Sequence, residues 1–256
     1  MKIALLQAQS QSRDYATNLD HLDHYAQQAK VQGAALLITP EMFLSGYVLH
    51  QDTVHMAQQF PLAELQALAR RHAIALIVGG PRQVEQGVMN SSYFIDDQGC
   101  VLNHYDKTHL FGELDREQFL QGEQGVVLSS YRGFKIAMLI CYDVEFPETV
   151  RAAALAGADL IAVPTAQMQP YDVVNTHLIA TLAWENQVYV AYANQIGTEG
   201  QFAYIGMSTI ASPDGKILVQ GTTAQEQLLY ADISTAKVQQ SQHNNPYLKD
   251  IRQDLF

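Results

Sequence analysis

The chain has 256 residues, of which 48% are hydrophobic and 16% are charged, so it can bury a sizeable core. Its 26 acidic and 15 basic residues give a formal net charge of −11 without an extended basic run. This balance argues against nucleic acid as a partner, because neutralising phosphates requires a clustered cationic surface. It predicts a solvated acidic surface instead.

The first segment, MKIALLQAQS, has about six apolar residues before polar ones take over, fewer than a signal peptide needs. No later run approaches the roughly 18 apolar residues of a membrane span. Two cysteines, Cys100 and Cys141, are too few for a disulfide scaffold in a chain of this length. The sequence therefore predicts a cytoplasmic protein that does not enter membranes.

Short apolar runs recur along the chain and predict strands. They are mostly unalternated, as expected of strands that are buried on both faces. In chain order they are IALLQAQ, AALLITP, IALIVGG, FKIAMLIC, ADLIAVPTA and VYVAYAN.

Between these runs, apolar residues spaced by three or four positions predict helices. The helical segments are 15–31, 62–72, 147–156 and 171–187. Pro147 suits a first helical position, and Gly157 suits the left-handed residue that follows a helix. Segments 90–107 and 202–233 predict hairpins instead, with the turns DDQG and SPDG.

The sequence contains no linker, low-complexity tract or short-period repeat, which predicts a single domain over residues 1–256. Alternating strands and helices, interrupted by antiparallel pairs, predict an α/β fold. Two mixed β-sheets with helices outside them, a four-layer αββα sandwich, satisfy this pattern.

Cys141 lies between the strand FKIAMLIC and the helix that begins at Pro147. Ligands of α/β proteins collect at the carboxyl ends of strands, and the positive end of a helix there favours a thiolate. The alternative is that Cys141 is a small buried hydrophobic residue. Cys100, in the turn GCVLN, has no comparable setting.

Two charged residues occupy similar positions. Glu41 ends AALLITPE and Lys107 ends VLNHYDK. A charge at the end of a buried strand must be paired or solvated, so a helix cap or an ion pair is the alternative for each. Together with Cys141 they supply a thiol, a proton acceptor and a cation for an oxyanion, which are the parts that acyl transfer requires.

Three segments, PEMFLSGY, YDKTHLFGE and ICYDVEFPE, resemble the three motifs of the nitrilase superfamily of carbon–nitrogen hydrolases, in the same order. The segments PTAQMQPYD, ENQVYVAYAN and NPYLKDIRQDL extend the resemblance over nearly the whole chain. Within the superfamily the chain is most similar to amidases acting on 5-aminopentanamide and to related stereoselective carboxamide amidases. The resemblance implies hydrolysis of a small linear carboxamide to a carboxylate and ammonia, without a cofactor.

The resemblance implies that Cys141 is the nucleophile and forms a thioester, that Glu41 is the proton-transfer base and that Lys107 is the positive charge. The superfamily also has a second glutamate a few residues after the lysine. Glu113 directly follows HLFG and is preferred, with Glu117 as the second choice. A solvated loop charge is the alternative for either residue.

Three further residues complete the predicted site. The N–H of Tyr142 joins the lysine at the oxyanion. Glu145 and Asp172 each follow a strand that ends near the proposed site, and one of them is expected to pair with an amine on the substrate. Orientation of the catalytic loop or a helix cap is the alternative for Glu145, and a helix cap for Asp172.

Other groups of residues give only weak signals of a metal or nucleotide site. His21 and His24 lack the partners of a metal site, and IVGGP lacks the Lys and Ser/Thr of a nucleotide loop, so no metal is expected. His109 is predicted to be a packing or hydrogen-bonding residue under the lysine.

The resemblance leaves several alternatives for the reaction and the substrate. Nitrilases place Trp-Glu after the cysteine, whereas this chain has Tyr142 and Asp143, which favours amides without excluding nitriles. ω-Amidases and deaminated-glutathione amidases share the catalytic triad. A catalytically silent binding protein is disfavoured, because no member of the triad is lost.

The resemblance also implies at least a homodimer, paired through the helices after the cysteine and after the PTA motif. Apolar residues on the second of these helices can face either a partner or the core. They are Val173, Val174, Leu178 and Trp184.

Overall fold

The computed structural model describes residues 1–255; Phe256, the last residue of the predicted domain, lies outside the described residues. Residues 1–255 form fourteen strands and eight α-helices. The strands are β1 Lys2–Gln7, β2 Leu36–Ile38, β3 Ala75–Val84, β4 Gly87–Ile95, β5 Val101–Asp106, β6 Leu128–Tyr131, β7 Phe134–Met138, β8 Leu160–Thr165, β9 Tyr189–Asn194, β10 Ile196–Glu199, β11 Phe202–Ile205, β12 Thr209–Ala211, β13 Ile217–Gln220 and β14 Gln227–Asp232. The helices are α1 Tyr15–Val31, α2 Thr53–Gln58, α3 Leu62–His72, α4 Gly112–Gln118, α5 Pro147–Leu155, α6 Ile179–Asn186, α7 Thr235–Asn244 and α8 Tyr247–Asp250.

Twelve strands form two six-stranded mixed sheets, ordered β14-β1-β2-β3-β4-β5 and β13-β12-β9-β8-β7-β6. Parallel pairs join β1, β2 and β3 in the first sheet and β7, β8 and β9 in the second. Antiparallel strands flank these parallel centres. The remaining strands, β10 and β11, form a separate antiparallel ribbon.

The faces of β1 show how the layers are built. Ile3 and Leu5 point to a core shared with the second sheet, whereas Ala4 and Leu6 belong to a second core with α1 and α3. Successive side chains of a strand alternate between faces, so all four positions from Ile3 to Leu6 carry apolar residues. Helices α5 and α6 contribute to the core of the second sheet. The predicted four-layer αββα sandwich is confirmed.

Helices α1 and α3 have the predicted bounds, and the predicted helix 147–156 ends one residue earlier. The predicted helix 171–187 differs, because a π-helical turn, Val174–Leu178, precedes α6. In this turn the buried Asn175 donates from Nδ2 to the carbonyls of Gly206 and Met207, at 3.2 and 3.3 Å. These contacts outside the helix anchor the wider turn. Within the described residues, no helix is long and apolar enough to cross a bilayer.

The strands of the predicted hairpin region 202–233 pair in three different places. The SPDG turn joins β12 and β13 as expected, but β11 pairs with β10, and β14 pairs with β1 of the first sheet. Turn chemistry indicates pairing only between neighbouring segments. The pairing of β14 with β1 joins the two ends of the chain, which no local signal encodes. The other predicted hairpin, 90–107, is formed by β4 and β5.

Candidate active site

Cys141 begins the 3-10 turn Cys141–Glu145 that follows β7. Its φ of +46° is a left-handed conformation, which costs a non-glycine residue about 1–3 kcal/mol and is found preferentially at functional sites. The residue is 6% exposed. The turn therefore holds an almost enclosed sulfur near the end of a buried strand.

Lys107 lies at the centre of a buried charged cluster. Its Nζ is 2.8 Å from Glu41 Oε1, 2.8 Å from Asp115 Oδ2 and 3.3 Å from the hydroxyl of Tyr47, and all four residues are buried. An ammonium has three N–H donors, so each of them already has an acceptor. Two carboxylates around one ammonium also leave the cluster negative unless one of them holds a proton.

The two carboxylate oxygens of Glu41 differ in their hydrogen bonds. Oε1 accepts from Lys107 and, at 2.8 Å, from Nδ2 of Asn90, whereas Oε2 is buried without a hydrogen-bond partner among residues 1–255. Burial raises the pKa of Glu41, and the charge of Lys107 acts against this rise. Such a carboxylate is suited to accept a proton from a neighbouring group.

The loop that carries Glu41 is where the two sheets meet. The N–H of Glu41 donates to the carbonyl of Thr165 at the end of β8, at 3.2 Å, and its carbonyl accepts from Gln195 Nε2 at 2.9 Å. Gly79 of β3 packs under the same loop, where a Cβ would lie 2.8 Å from the nitrogen of Met42. Only glycine permits this close approach.

Burial raises the pKa of the Cys141 thiol well above its ordinary value, and the negative charge of Glu41 adds to the rise. Lys107 lowers this pKa but does not overcome the effect of burial. Desolvation of the sulfur thus acts against the thiolate that the sequence predicts. A thiol needs a base to become a nucleophile.

The buried carboxylate of Asp143 ties the cysteine turn to the lysine loop. Its Oδ1 accepts from the backbone N–H groups of Thr108 and His109, at 3.2 and 2.8 Å, and from His109 Nδ1 at 2.8 Å. Its Oδ2 accepts from the N–H of Ile140 at 3.1 Å. Asp143 thus bonds the residue before Cys141 and the two residues after Lys107. His109 is a hydrogen-bonding residue, as predicted, and the bond to Asp143 raises its pKa.

The acid beside the lysine is neither of the two predicted glutamates. Glu113 and Glu117 are exposed on α4, whereas Asp115 is fully buried and pairs with Lys107. The prediction that Glu113 lies beside the lysine is therefore corrected. Glu113 and Glu117 are four residues apart and share one face of α4, and this face is exposed to solvent. Asp115 and Gln118, three apart, form the buried face. The helical spacing of Asp115 and Gln118 was the only signal in the sequence that could have indicated Asp115.

Two of the three predicted binding residues lie in the cysteine turn, and the third is on the surface. Tyr142 is half-buried in the cysteine turn, and Glu145 ends the same turn with Oε1 3.5 Å from Nε2 of Gln167. Burial raises the pKa of Glu145, and Lys107 acts against this rise, so the two charges interact. Asp172 is instead exposed, in the segment before the π-helical turn, and is not brought to the cluster.

Two buried contacts of the cluster, Tyr47 and Asn90, were not predicted. Tyr47 ends the quoted segment PEMFLSGY, so the motif itself carried a signal. Asn90 reaches Glu41 only because β4 pairs with β3, and no local pattern reveals that placement.

The arrangement combines a thiol, a carboxylate with a free oxygen and a buried ammonium. These groups can carry out proton transfer, nucleophilic attack and stabilisation of an oxyanion. In the part of the chain that the structure describes, no group of three or more His, Cys, Asp or Glu side chains is placed to hold a metal ion.

The carbon-nitrogen hydrolase family matches residues 2–242 of the chain. The chain is 44% identical over 262 residues to a protein of Pseudomonas protegens described as a hydrolase in the pqqF 5′ region, and the alignment covers 100% of this chain and 90% of that protein. It is 32% identical over 259 residues to an (R)-stereoselective amidase of Pseudomonas sp, with 98% and 92% covered.

A similar solved structure is that of a double mutant of the amidase from Nesterenkonia sp. AN1 in complex with acrylamide. It superimposes with a TM-score of 0.91 at 36% identity, and 100% of this chain and 95% of that chain are covered. In another mutant of that amidase, the acetamide moiety of fluoroacetamide is added covalently at the active site cysteine. The present chain thus belongs to the carbon-nitrogen hydrolase family, within the nitrilase superfamily, and is an amidase-type hydrolase of carbon–nitrogen bonds other than peptide bonds.

Proposed function

We propose that the chain hydrolyses a small linear carboxamide to a carboxylate and ammonia, with Cys141 as nucleophile, Glu41 as base and Lys107 as the cation at the oxyanion. The observation that carries this proposal is the unpaired, buried Oε2 of Glu41, in a site where burial raises the pKa of the Cys141 thiol. Since Oε1 is held by two donors, Oε2 is the oxygen that accepts the thiol proton.

In the first half-reaction Glu41 takes the thiol proton as the sulfur bonds to the amide carbon, and the carbonyl electrons move onto oxygen. When this oxyanion collapses, the C–N bond breaks, and Glu41 passes its proton to the nitrogen, which leaves as ammonia. In the second half-reaction Glu41 takes a proton from water as the water oxygen attacks the thioester. Collapse of the second oxyanion breaks the C–S bond and releases the carboxylic acid, and Glu41 returns its proton to the sulfur, which restores the thiol of Cys141.

Lys107 has to exchange one of its three contacts to donate to the oxyanion. The contact with Tyr47, at 3.3 Å, is longer than the two carboxylate contacts, at 2.8 Å, and neutral acceptors bind an ammonium less strongly than carboxylates do. We assign to Tyr47 the role of holding this N–H until the oxyanion forms. The N–H of Tyr142 is the second proposed donor to the oxyanion.

We further propose that the substrate carries an amine at the end opposite its amide, with 5-aminopentanamide as the leading candidate. A cation that enters an enclosed site must be paired, because an unpaired buried charge costs several kcal/mol. Glu145 supports this assignment, since it is half-buried, interacts with Lys107 and has only a 3.5 Å contact with Gln167. The exposed Asp172 is a weaker partner, because solvent screens exposed ion pairs.

Changing Glu145 to glutamine should raise the KM for 5-aminopentanamide by about 10- to 100-fold, the worth of a hydrogen bond to a charged group. The KM for hexanamide, a neutral amide with the same number of non-hydrogen atoms, should change less than about twofold. Because burial raises the pKa of Glu145, the wild-type KM for the amine should fall as the pH rises through that pKa. Steady-state ammonia release on both substrates measures these effects.

Asp172→Asn is the matched control and should leave both KM values unchanged. Equal losses on both substrates in Glu145→Gln would place Glu145 in the catalytic scaffold, and the proposed amine recognition would then have no support.

The proposed function itself is tested by ammonia release from a panel at equal concentration. The panel contains 5-aminopentanamide, hexanamide, α-ketoglutaramate, deaminated glutathione and a nitrile. Turnover should be fastest on 5-aminopentanamide. Preference for α-ketoglutaramate or deaminated glutathione would replace the substrate assignment, and activity on the nitrile alone would replace the reaction. No turnover of any compound would favour a binding protein.

We propose that the chain works in the cytoplasm as a homodimer paired through α5 and α6. Val173 and Trp184 are 60% and 42% exposed, whereas Val174 is buried and Leu178 is half-buried. Two of the four apolar residues therefore belong to the core, and two remain for a partner.

Light scattering at micromolar concentration should give twice the 28.4 kDa chain mass, and Trp184→Glu should shift the mass toward the monomer. A wild-type monomer would contradict the dimer.

A further inference from the structure

The ribbon of β10 and β11 contacts two loops of the candidate site. On β11, the carbonyl of Ala203 accepts from the N–H of Gln169 at 3.0 Å, and the N–H of Ile205 donates to the carbonyl of Gln167 at 3.1 Å. On β10, the half-buried Glu199 reaches the loop that follows Glu41. The ribbon thus lies between the segment after β8 and the loop that carries the base.

The carboxylate of Glu199 binds the backbone of the Tyr47 loop. Oε2 accepts from the N–H of Tyr47 at 2.9 Å, and Oε1 accepts from the N–H groups of Tyr47 and Val48, both at 3.1 Å. Oε2 also accepts from the hydroxyl of Tyr204 at 3.1 Å. Charge-assisted bonds to backbone N–H groups are stronger than neutral ones, so this loop is held at two consecutive residues.

Gly46 makes this approach possible. Its φ is +78°, and a Cβ at this position would lie 2.7 Å from Glu199 Oε1 and 2.9 Å from Cα of Ser12. A side chain would therefore displace the carboxylate from the two N–H groups. The glycine of the segment PEMFLSGY is required here by the contact with Glu199.

The side chain of Tyr47 carries this contact into the charged cluster. Its hydroxyl donates to Asp115 Oδ1 and accepts from Lys107 Nζ at 3.3 Å. Burial raises the pKa of Tyr47 well above its ordinary value, so the hydroxyl stays neutral and can both donate and accept. Displacing the Tyr47 backbone would therefore move an acceptor of the lysine and a donor to its carboxylate partner.

We infer that Glu199 is a positioning residue of the amidase site, which acts through the backbone and hydroxyl of Tyr47 to orient Lys107 and Asp115. This inference rests on the proposed function. It assigns to β10 a part in turnover, although Glu199 does not touch the reacting atoms. An error of about 1 Å in the position of a catalytic group can cost about 100-fold in rate.

The test is a double-mutant cycle, with ammonia release from hexanamide as the readout. Glu199→Ala should lower kcat by about 10- to 100-fold with KM within about threefold, because orientation rather than binding is lost. Tyr47→Phe should lower kcat to a similar extent. The double variant should lose no more than about threefold beyond Tyr47→Phe, because both changes remove the same interaction.

Glu199→Gln keeps an oxygen that can accept from both N–H groups and should restore kcat to within about threefold of the wild type. Glu226→Ala is the matched control, since Glu226 also accepts a backbone N–H, that of Gln9, and a tyrosine hydroxyl, that of Tyr25, and should leave kcat unchanged. Should Glu199→Ala fail to fold, Glu199→Asp, whose shorter side chain cannot span both N–H groups, should show the loss in kcat.

Full activity of Glu199→Ala, or losses that multiply in the double variant, would overturn the inference. Losses in Glu199→Gln as large as those in Glu199→Ala would also overturn it, since the glutamine retains the acceptor. If the wild type hydrolyses no amide, the proposed function fails before any variant is compared. An active wild type with unaffected Glu199 variants rejects only the positioning role.

Discussion

Replacing Cys141 with alanine should abolish ammonia release, with a fall in kcat of at least about 10⁴-fold, because loss of the nucleophile removes the covalent path altogether. The change deletes one buried atom and no hydrogen-bonded charge, so the fold should persist. Circular dichroism should match that of the wild type. Mass spectrometry of the wild type with a slow or reactive amide should show an adduct on Cys141, and the variant should show none.

Cys100→Ala is the matched control for this experiment. Cys100 is exposed and Cys141 is buried, so the two variants separate loss of a catalytic sulfur from loss of any sulfur. Cys100→Ala should retain full activity and the adduct. A fall in kcat of less than about 100-fold in Cys141→Ala would show that Cys141 is not the nucleophile.

Replacing Lys107 with methionine should damage both stability and turnover. Its side chain is fully buried between Glu41 and Asp115, so the change leaves two enclosed carboxylates without their cation. Breaking a buried pair in this way costs about 3–5 kcal/mol in the free energy of unfolding. Loss of an oxyanion donor should lower kcat by a further factor of about 100 to 1000. Urea denaturation and ammonia release measure the two effects.

The stability loss in Lys107→Met should increase as the pH rises. Without the ammonium, nothing offsets the burial that raises the folded-state pKa of Glu41, so this pKa lies further above that of the unfolded chain. Below the unfolded pKa the Glu41 carboxyl is neutral in either state, so the deficit is smallest. It grows as the pH rises from the unfolded toward the folded pKa, and then levels off.

Lys216→Met is the control for general loss of a positive charge. Its side chain is 77% exposed, and its Nζ is 3.6 Å from Asp214, so the change should leave both the free energy of unfolding and kcat unaltered. A deficit in Lys107→Met that does not vary with pH would show that Lys107 does not compensate the two carboxylates.

The sequence by itself determined the fold class and indicated three candidate residues for the triad. The strands of the two parallel centres are mostly unalternated apolar runs, because most of their positions are buried on both faces. The helical periodicity of α1 and α3 predicted their bounds. Glu41, Lys107 and Cys141 were found because each ends such a segment and lies in a recognisable motif. Their convergence follows from the strand ends meeting between the sheets.

Only the tertiary structure decided which groups surround the triad and in what state. Asp115, rather than Glu113 or Glu117, pairs with the lysine, since the orientation of α4 selects which of its faces is buried. The rise in the pKa of Cys141 was likewise not predictable from the local sequence, because its largest cause is desolvation, which the packing of the whole core imposes. Contacts across sheets and between distant segments, such as Glu199 with the Tyr47 backbone, depend on how the chain ends and loops pack together, and a local pattern contains no information about that packing.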